Sequence, residues 1–151
     1  MTKNEPPNDP AKVFAFFTEV GIISQLATAL LAKALPDGVH PSHFAIVNHL
    51  VRTGDGVSPV RIAGAMQVTK NTMTHSLKVL QDRALITVEP SPEDGRAKIV
   101  FLTDAGRAFR EEAVQKAVSA FEGVLRPEHK ELMARIQGDL TIMRKQLDDN
   151  R

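Results

Sequence analysis

The chain has 151 residues, a formal net charge of +1 and no cysteine. This length suits one domain, or one domain with helical extensions. The lack of cysteine excludes disulfides, thiolate nucleophiles, thiol redox sensors and cysteine-based zinc sites. We expect no apolar run to approach a membrane span, and the N-terminus carries no apolar signal core, so the protein is expected to be soluble and cytoplasmic.

The N-terminal part of the sequence predicts a polar arm followed by one long helix. Residues 1–10 are polar and contain three prolines, which is typical of a disordered arm. From residue 11 to 35, apolar side chains recur at steps of three and four residues, the helical period. Pro36, Asp37 and Gly38 then end the helix. The apolar stripe consists of Phe16, Val20, Ile23, Ala27, Leu30 and Ala34.

Residues 41–102 predict a winged helix-turn-helix, which makes the chain mainly α (α+β) with a two-stranded wing. Ser42 is expected to cap the first of three helices, and Ser58 is expected to cap the second. The third helix starts at Thr69 and has one apolar side. Two predicted strands, 86–89 and 97–102, follow and are joined by a charged turn. Proteins with this arrangement usually bind double-stranded DNA.

The outward side of the third helix and the wing carry side chains suited to DNA. Hydroxyl, amide, imidazole and ammonium groups match phosphate oxygens and base edges. Residues 58–102 hold six Lys or Arg against four Asp or Glu, and they are the only net-positive block of the sequence. The candidate DNA contacts are Thr69, Lys70, Asn71, Thr72, Thr74, His75, Lys78, Asp94, Arg96 and Lys98.

Residues 104–149 predict two further helices, which begin after Thr103 and at Pro127. The last helix has a narrow apolar stripe, typical of a helix–helix seam. Because the winged domain can form its own core, the stripes of residues 11–35 and 104–149 need another surface. We therefore expect a homodimer through these terminal dimerisation helices, with two recognition helices about 34 Å apart on a pseudo-palindromic operator. The expected interface residues are Phe16, Val20, Leu132, Ile136, Leu140, Met143 and Leu147.

Two segments of the chain resemble the MarR family of bacterial transcription regulators. Residues 62–74 are similar to its helix-turn-helix pattern, LAxxLxVSxxTVT. Residues 94–106 are similar to its wing pattern, DxRxxxVxLTxxG, which joins a charged tip, a strand and a helix cap in one run. In element order and lengths, the likeness extends from about residue 12 to 148.

The resemblance implies a homodimeric regulator of transcription, and a repressor relieved by a small-molecule effector is the expected form. The effector site would lie between the dimerisation helices and the winged domain. By the same resemblance, Arg96 would enter the minor groove, and Asp94 would pair with its guanidinium group.

Three positions depart from the family pattern. Gln67 and Ala84 stand where glycine is usual, and each would cost about 1 kcal/mol if its φ angle is positive. His75 stands where arginine is frequent, and a neutral imidazole cannot make arginine's bidentate contact to guanine. We hypothesise that DNA affinity rises below about pH 6.5 as His75 gains charge.

Two other functions remain as alternatives. A winged-helix protein–protein adaptor that never binds DNA would have an acidic or apolar third helix, and Lys70, Lys78, Arg96 and Lys98 argue against it. An enzyme would need a catalytic constellation. The sequence shows no Ser-His-Asp order, phosphate loop or metal-ligand set, so no catalytic residue and no cofactor is expected.

His40, His43 and His49 raise the alternative of a zinc site in this part of the sequence. Two imidazoles spaced as in His40-x-x-His43 come together only within a helix, whereas Pro41 and Ser42 mark the start of one. The favoured interpretation is a set of polar residues near a helix N-terminus, and whether they line an effector cleft stays open at this point.

Overall fold

The computed structural model describes residues 9–150, so residues 1–8 of the predicted arm over 1–10 lie outside the described residues. Within this range the chain forms six α-helices and one antiparallel sheet of two strands, which confirms the expected fold class. In chain order the elements are α1 (Pro10–Ala34), α2 (Pro41–Thr53), α3 (Pro59–Met66), α4 (Lys70–Asp82), β1 (Ile86–Pro90), β2 (Lys98–Leu102), α5 (Asp104–Glu122) and α6 (Pro127–Asp148).

The first helix begins earlier than the sequence pattern predicts. Asp9 is its N-cap and accepts a hydrogen bond from the Ala11 N–H at 2.9 Å. Pro10 takes the first helical position, where its missing N–H is not needed. Asp9 and Pro10 therefore belong to α1 and not to an arm.

None of the residues of α1 is buried within this chain. By length and composition alone, α1 is able to cross a membrane, which corrects the expectation that no apolar run approaches a span. A single helix of this kind is weak evidence for a membrane protein, because helices that pack against protein pass the same test.

The second helix is capped by His40 and not by Ser42. Pro41 occupies the first helical position, and the Nδ1 atom of His43 accepts the N–H of His40 at 3.1 Å. An acceptor at the third helical position can satisfy the N-cap N–H, the task that Glu or Gln has in a capping box. The prediction of Ser42 as the N-cap was wrong because here the acceptor at the third helical position is an imidazole and not the Glu or Gln of a usual capping box.

Residues up to Ala117 form one compact unit, which contains the winged helix-turn-helix. The two wing strands pair in the register Ile86–Leu102, Val88–Val100 and Pro90–Lys98. Val57, before α3, adds an isolated bridge to Val100. The centre of the core is made of the fully buried side chains Val47, Leu50, Ile62, Met73, Leu80, Ile86 and Val100.

Residues from Val118 onwards form a second unit, made of the last turns of α5 and the whole of α6. Lys130 bridges to Glu122 at 3.0 Å within this unit. The first turn of α6 repeats the device of α2, because the N–H of Arg126 donates to Nδ1 of His129 at 3.1 Å. None of the residues of α6 is buried within this chain.

Candidate nucleic-acid interface

A tight turn between α3 and α4 sets the direction in which α4 leaves the core. Ser58 caps α3 as predicted, accepting from the Arg61 N–H at 3.4 Å. Gln67 ends α3 in the left-handed conformation, with a φ of 55°. The Nε2 atom of Gln67 donates to the Gly64 carbonyl at 2.9 Å. The turn therefore requires positive φ at this position, and a local side-chain bond offsets part of the cost of about 1 kcal/mol.

The start of α4 is held by two threonine hydroxyls. Thr69 is the N-cap as predicted, and its Oγ1 accepts from the Thr72 N–H at 3.2 Å. The Thr69 and Thr72 hydroxyls also bond to each other at 2.9 Å. A threonine cap contributes about 1 kcal/mol to helix stability, so both side chains have a structural role.

One side of α4 is buried and the other is open. Met73, Ser76, Leu77 and Leu80 are buried. The outer face of α4, by which we mean its exposed predicted residues, consists of Lys70, Asn71, Thr72, Thr74, His75 and Lys78. The structure thus brings these predicted contacts together on one helix face, and Thr69 precedes them.

Two residues of the outer face already have partners within the helix. The Thr74 hydroxyl donates to the Lys70 carbonyl at 2.9 Å. Lys78 pairs with Asp82, one turn further on, at 3.0 Å. Because both members of that pair are exposed, the interaction is weak and Lys78 can exchange Asp82 for a phosphate at little cost.

The wing tip is a closed turn with an exposed arginine. Ser91 N–H donates to the Ala97 carbonyl at 2.8 Å, and Ala97 N–H donates to the Asp94 carbonyl at 2.9 Å. The Asp94 carboxylate accepts the backbone N–H of Arg96 at 3.0 Å. The ion pairs of residues 9–150 include none between Asp94 and Arg96, so the expected pairing with the guanidinium is corrected. Asp94 shapes the turn backbone and leaves the Arg96 guanidinium exposed.

A carboxylate that the sequence analysis did not select anchors the wing. Asp55 Oδ2 accepts the backbone N–H of Leu102 at 2.7 Å and lies 3.3 Å from Nη2 of Arg107. Gly54 and Gly56 on either side have φ values of 96° and 76°, which permit the sharp approach. The glycines flanking an acid were the one available signal.

The junction between α4, the wing and α5 is equally tight. Thr103 caps α5 as predicted, since its Oγ1 accepts the Gly106 N–H at 2.9 Å, and it donates to the Ala84 carbonyl at 2.7 Å. Ala84 has a φ of 55°, so the second departure from glycine also falls on a left-handed position. A side chain at Gly106 would overlap the carbonyl oxygen of Leu85. The end of α4, the wing and the first turn of α5 are therefore joined rigidly.

The histidines of α2 do not form a metal site in the described structure. Across residues 9–150 no three His, Cys, Asp or Glu side chains are grouped to hold a metal ion. The rings of His40 and His43 meet edge to face, 5.8 Å apart. Burial lowers the pKa of His43, and the positive charges of His40, His75 and Arg83 lower it further. His43 is thus a buried, neutral imidazole that caps a helix.

The residues expected at a dimer interface are exposed within this chain. Phe16 and Val20 on α1 are 42% and 37% exposed. The five predicted residues of α6, which are 38–55% exposed, are Leu132, Ile136, Leu140, Met143 and Leu147. Each of the two helices thus presents apolar side chains that are only partly covered.

Comparison with known proteins gives one family and one fold. The sequence model of the MarR family matches residues 37–97. No curated protein sequence matches the chain. A MarR transcriptional regulator from Methanosarcina mazei Go1 is 18% identical, with a TM-score of 0.74 over 90% of this chain and 98% of that one.

Two further solved structures share the fold. Wild-type MarR from E. coli in its apo form is 20% identical, with a TM-score of 0.69 over 82% of this chain and 94% of that one. BpsR from Bordetella bronchiseptica is 24% identical, with a TM-score of 0.61 over 82% of this chain and 98% of that one. Residues 37–97 therefore match the MarR-family sequence model, and the chain has the fold of these solved MarR-family structures.

Proposed function

We propose that the protein is a homodimeric transcription regulator that binds double-stranded DNA with sequence specificity. Residues 41–102 form its DNA-binding domain, and residues 11–35 and 104–149 supply its dimerisation helices. One observation carries the proposal: α4 buries its apolar side and exposes a polar face, and the wing exposes the cationic side chains of Arg96 and Lys98. This combination fits a helix in the major groove and an arginine in the minor groove.

The candidate contacts divide by the part of DNA that each can reach. Lys70, Lys78 and Lys98 are point charges suited to phosphates. Asn71 and His75 carry groups that can bond base edges in the major groove, and neutral His75 favours a different base preference from arginine. Thr69, Thr72 and Thr74 complete the face with hydroxyls or methyl groups. Asp94 acts indirectly, by shaping the turn that presents Arg96.

Dimerisation is supported by the exposed apolar side chains of α1 and α6. Soluble monomers rarely expose contiguous apolar surface of this extent. A second copy that covers these helices would also supply a second recognition helix, as a pseudo-palindromic operator requires. A second copy would also bury the apolar surface of α1, so this helix needs no membrane to cover it. We therefore propose a cytoplasmic location for the protein.

The regulatory mode proposed is repression relieved by a small molecule. In BpsR, DNA binding is regulated by 6-hydroxynicotinic acid. An effector of this chain would act by favouring a dimer whose recognition helices no longer match successive major grooves. The fold shared with BpsR supports this mode.

The test of DNA binding is fluorescence anisotropy on a duplex from the protein's own promoter region, with a scrambled duplex for comparison. Removal of an arginine that contacts DNA typically costs about 1–3 kcal/mol and lowers the salt dependence. Arg96→Ala should therefore weaken binding by about 5-fold to about 150-fold. Arg135→Ala, which removes an exposed arginine of α6, should leave it within about twofold. Equal loss in both variants, or no binding at low salt, would contradict the proposal and favour the protein–protein adaptor.

The test of the dimer is sedimentation analysis of two matched α6 variants. Leu140→Glu places a charge on the expected seam and should shift the protein towards monomers. Ile142→Glu makes the same chemical change two residues further on, on the opposite side of α6 from Leu140 and outside the predicted stripe, so it should leave the dimer intact. A monomeric wild-type protein, or equal dissociation of both variants, would refute the assigned interface.

A further inference from the structure

His43 is a buried residue in the first turn of α2, the helix that packs against the recognition helix α4. It is a polar side chain among the buried residues, with 6% of its surface exposed. Its Nδ1 atom accepts the backbone N–H of His40 at 3.1 Å and so caps the first turn of α2. The helices α2 and α4 pack against each other. A change in the protonation of His43 therefore acts directly on the cap of α2, a helix that packs against α4.

The charged and titratable groups that face His43 are all basic. They are His40 from the segment before α2, and His75 and Arg83 from α4 and its C-cap. No carboxylate is among the groups whose charge acts on His43 in the described structure. A proton on His43 would thus meet repulsion from each neighbour and no compensating charge.

A second bond ties the same region to the end of α4. The Nη2 atom of Arg83 donates to the carbonyl oxygen of Asp37 at 2.5 Å. Asp37 lies in the segment between α1 and α2, three residues before His40. The segment 35–40 is thereby joined to α2 through His43 and to α4 through Arg83.

We propose that His43 is a positioning residue for the recognition helix, which holds α4 in its DNA-binding position while the imidazole is neutral and releases it when the imidazole is protonated. Protonation turns Nδ1 from an acceptor into a donor, so it can no longer accept the His40 N–H. The partly buried N–H of His40 then lacks its partner, and the new charge is repelled by three basic groups. Moving the start of α2 away from α4 relieves both. The inference rests on the proposed DNA binding for its functional consequence.

His43 and His75 have opposite effects on DNA binding. A proton on the exposed His75 adds positive charge to the outer face of α4 and strengthens DNA binding. A proton on His43 weakens it by displacing the helix. The test therefore removes the contribution of His75 first, by using His75→Gln as the reference protein.

The experiment measures the DNA affinity of His75→Gln and of His75→Gln/His43→Gln from about pH 8 to about pH 5. Glutamine at the third helical position can still accept the N-cap N–H, so it keeps the cap and removes the titration. His129→Gln in the same reference protein is the matched control. It replaces the imidazole that caps α6 in the same way and lies in the other unit.

The reference protein should lose affinity as the solution becomes acidic, while the His43→Gln variant should not. In a dimer whose two His43 side chains are half-protonated, the expected loss is about fourfold, because each subunit is competent only half of the time. The His129→Gln control should follow the reference protein. Parallel curves with and without His43→Gln would overturn the proposal.

A measurement without DNA separates this inference from the proposed function. In NMR spectra the backbone amide signals of α4 should shift with acidification at one common midpoint in His75→Gln, and they should stay constant in His75→Gln/His43→Gln. If no DNA binding is found at neutral pH, the proposed function fails while this result still decides the role of His43. Identical α4 shifts in both proteins would refute it.

Discussion

Replacing Ala84 by glycine is expected to stabilise the protein, although it only removes a methyl group. Ala84 has a φ of 55°. Such left-handed backbone costs a residue with a Cβ roughly 1–2 kcal/mol. Glycine removes that cost but gives up about 0.5–1 kcal/mol, because the unfolded chain gains freedom. The Ala84 side chain is exposed, so no buried contact is lost. The net gain in the free energy of unfolding is about 0.5–1 kcal/mol.

The assay is reversible urea denaturation together with a thermal melt, both at one fixed protein concentration. Fixed concentration matters because dissociation of a dimer makes the midpoint depend on it. For a chain of this length, the expected gain raises the melting temperature by about 1–4 °C. The urea slope should stay constant, since the surface exposed on unfolding is unchanged.

The same Ala→Gly substitution at an ordinary helical position is expected to have the opposite effect on stability. Ala108 is exposed within α5, where alanine is the best helix former, so Ala108→Gly should lower the free energy of unfolding by about 0.5–1 kcal/mol. Gln67→Gly should fall between the two, because it relieves a φ of 55° but loses the bond to the Gly64 carbonyl. If Ala84→Gly destabilises the protein as Ala108→Gly does, the argument from left-handed backbone is refuted.

Three other changes test how the wing, α5 and α2 are held. Gly106→Ala should destabilise the protein by about 1–3 kcal/mol or more in urea denaturation, because the added methyl meets the backbone carbonyl of Leu85, which cannot rotate away. Asp55→Ala should lower the free energy of unfolding by about 1–3 kcal/mol, since the Leu102 N–H loses its acceptor. Stability should also fall as pH drops below about 6.5 towards the lowered pKa of His43, because the unfolded chain then binds more protons, and His43→Gln should flatten this slope.

Each of these has an outcome that would contradict it. Gly64→Ala is the control for Gly106→Ala, because an added methyl there has open space, and equal effects of the two would show that crowding is not the cause. An Asp55→Ala variant with unchanged stability would show that the wing does not depend on this carboxylate. An unfolding free energy equally pH-dependent in wild type and His43→Gln would assign the acid sensitivity to other groups.

Local patterns in the sequence were sufficient for the elements and for much of the candidate interface. The apolar period of α1, the threonine caps at Thr69 and Thr103, and the strands of the wing all follow from neighbours within a few residues. The outer face of α4 follows from the same period, because burying Met73 and Leu77 turns Lys70 and Asn71 outward. Such features depend on helix and strand geometry, which short segments specify by themselves.

The tertiary structure decided which groups hold the interface in place. The bonds from Asp55 to Leu102 and from Arg83 to Asp37 join residues 47 and 46 positions apart. The periodicity of a helix or strand cannot predict such pairs, because their partners come together only when separate elements pack. The same packing buries His43 in the first turn of α2. It also brings the backbone of Leu85 so close to Gly106 that a side chain there is excluded. Sequence periodicity thus determined which side chains point outward, whereas long-range packing determined what positions them, since burial and close approach exist only in the assembled fold.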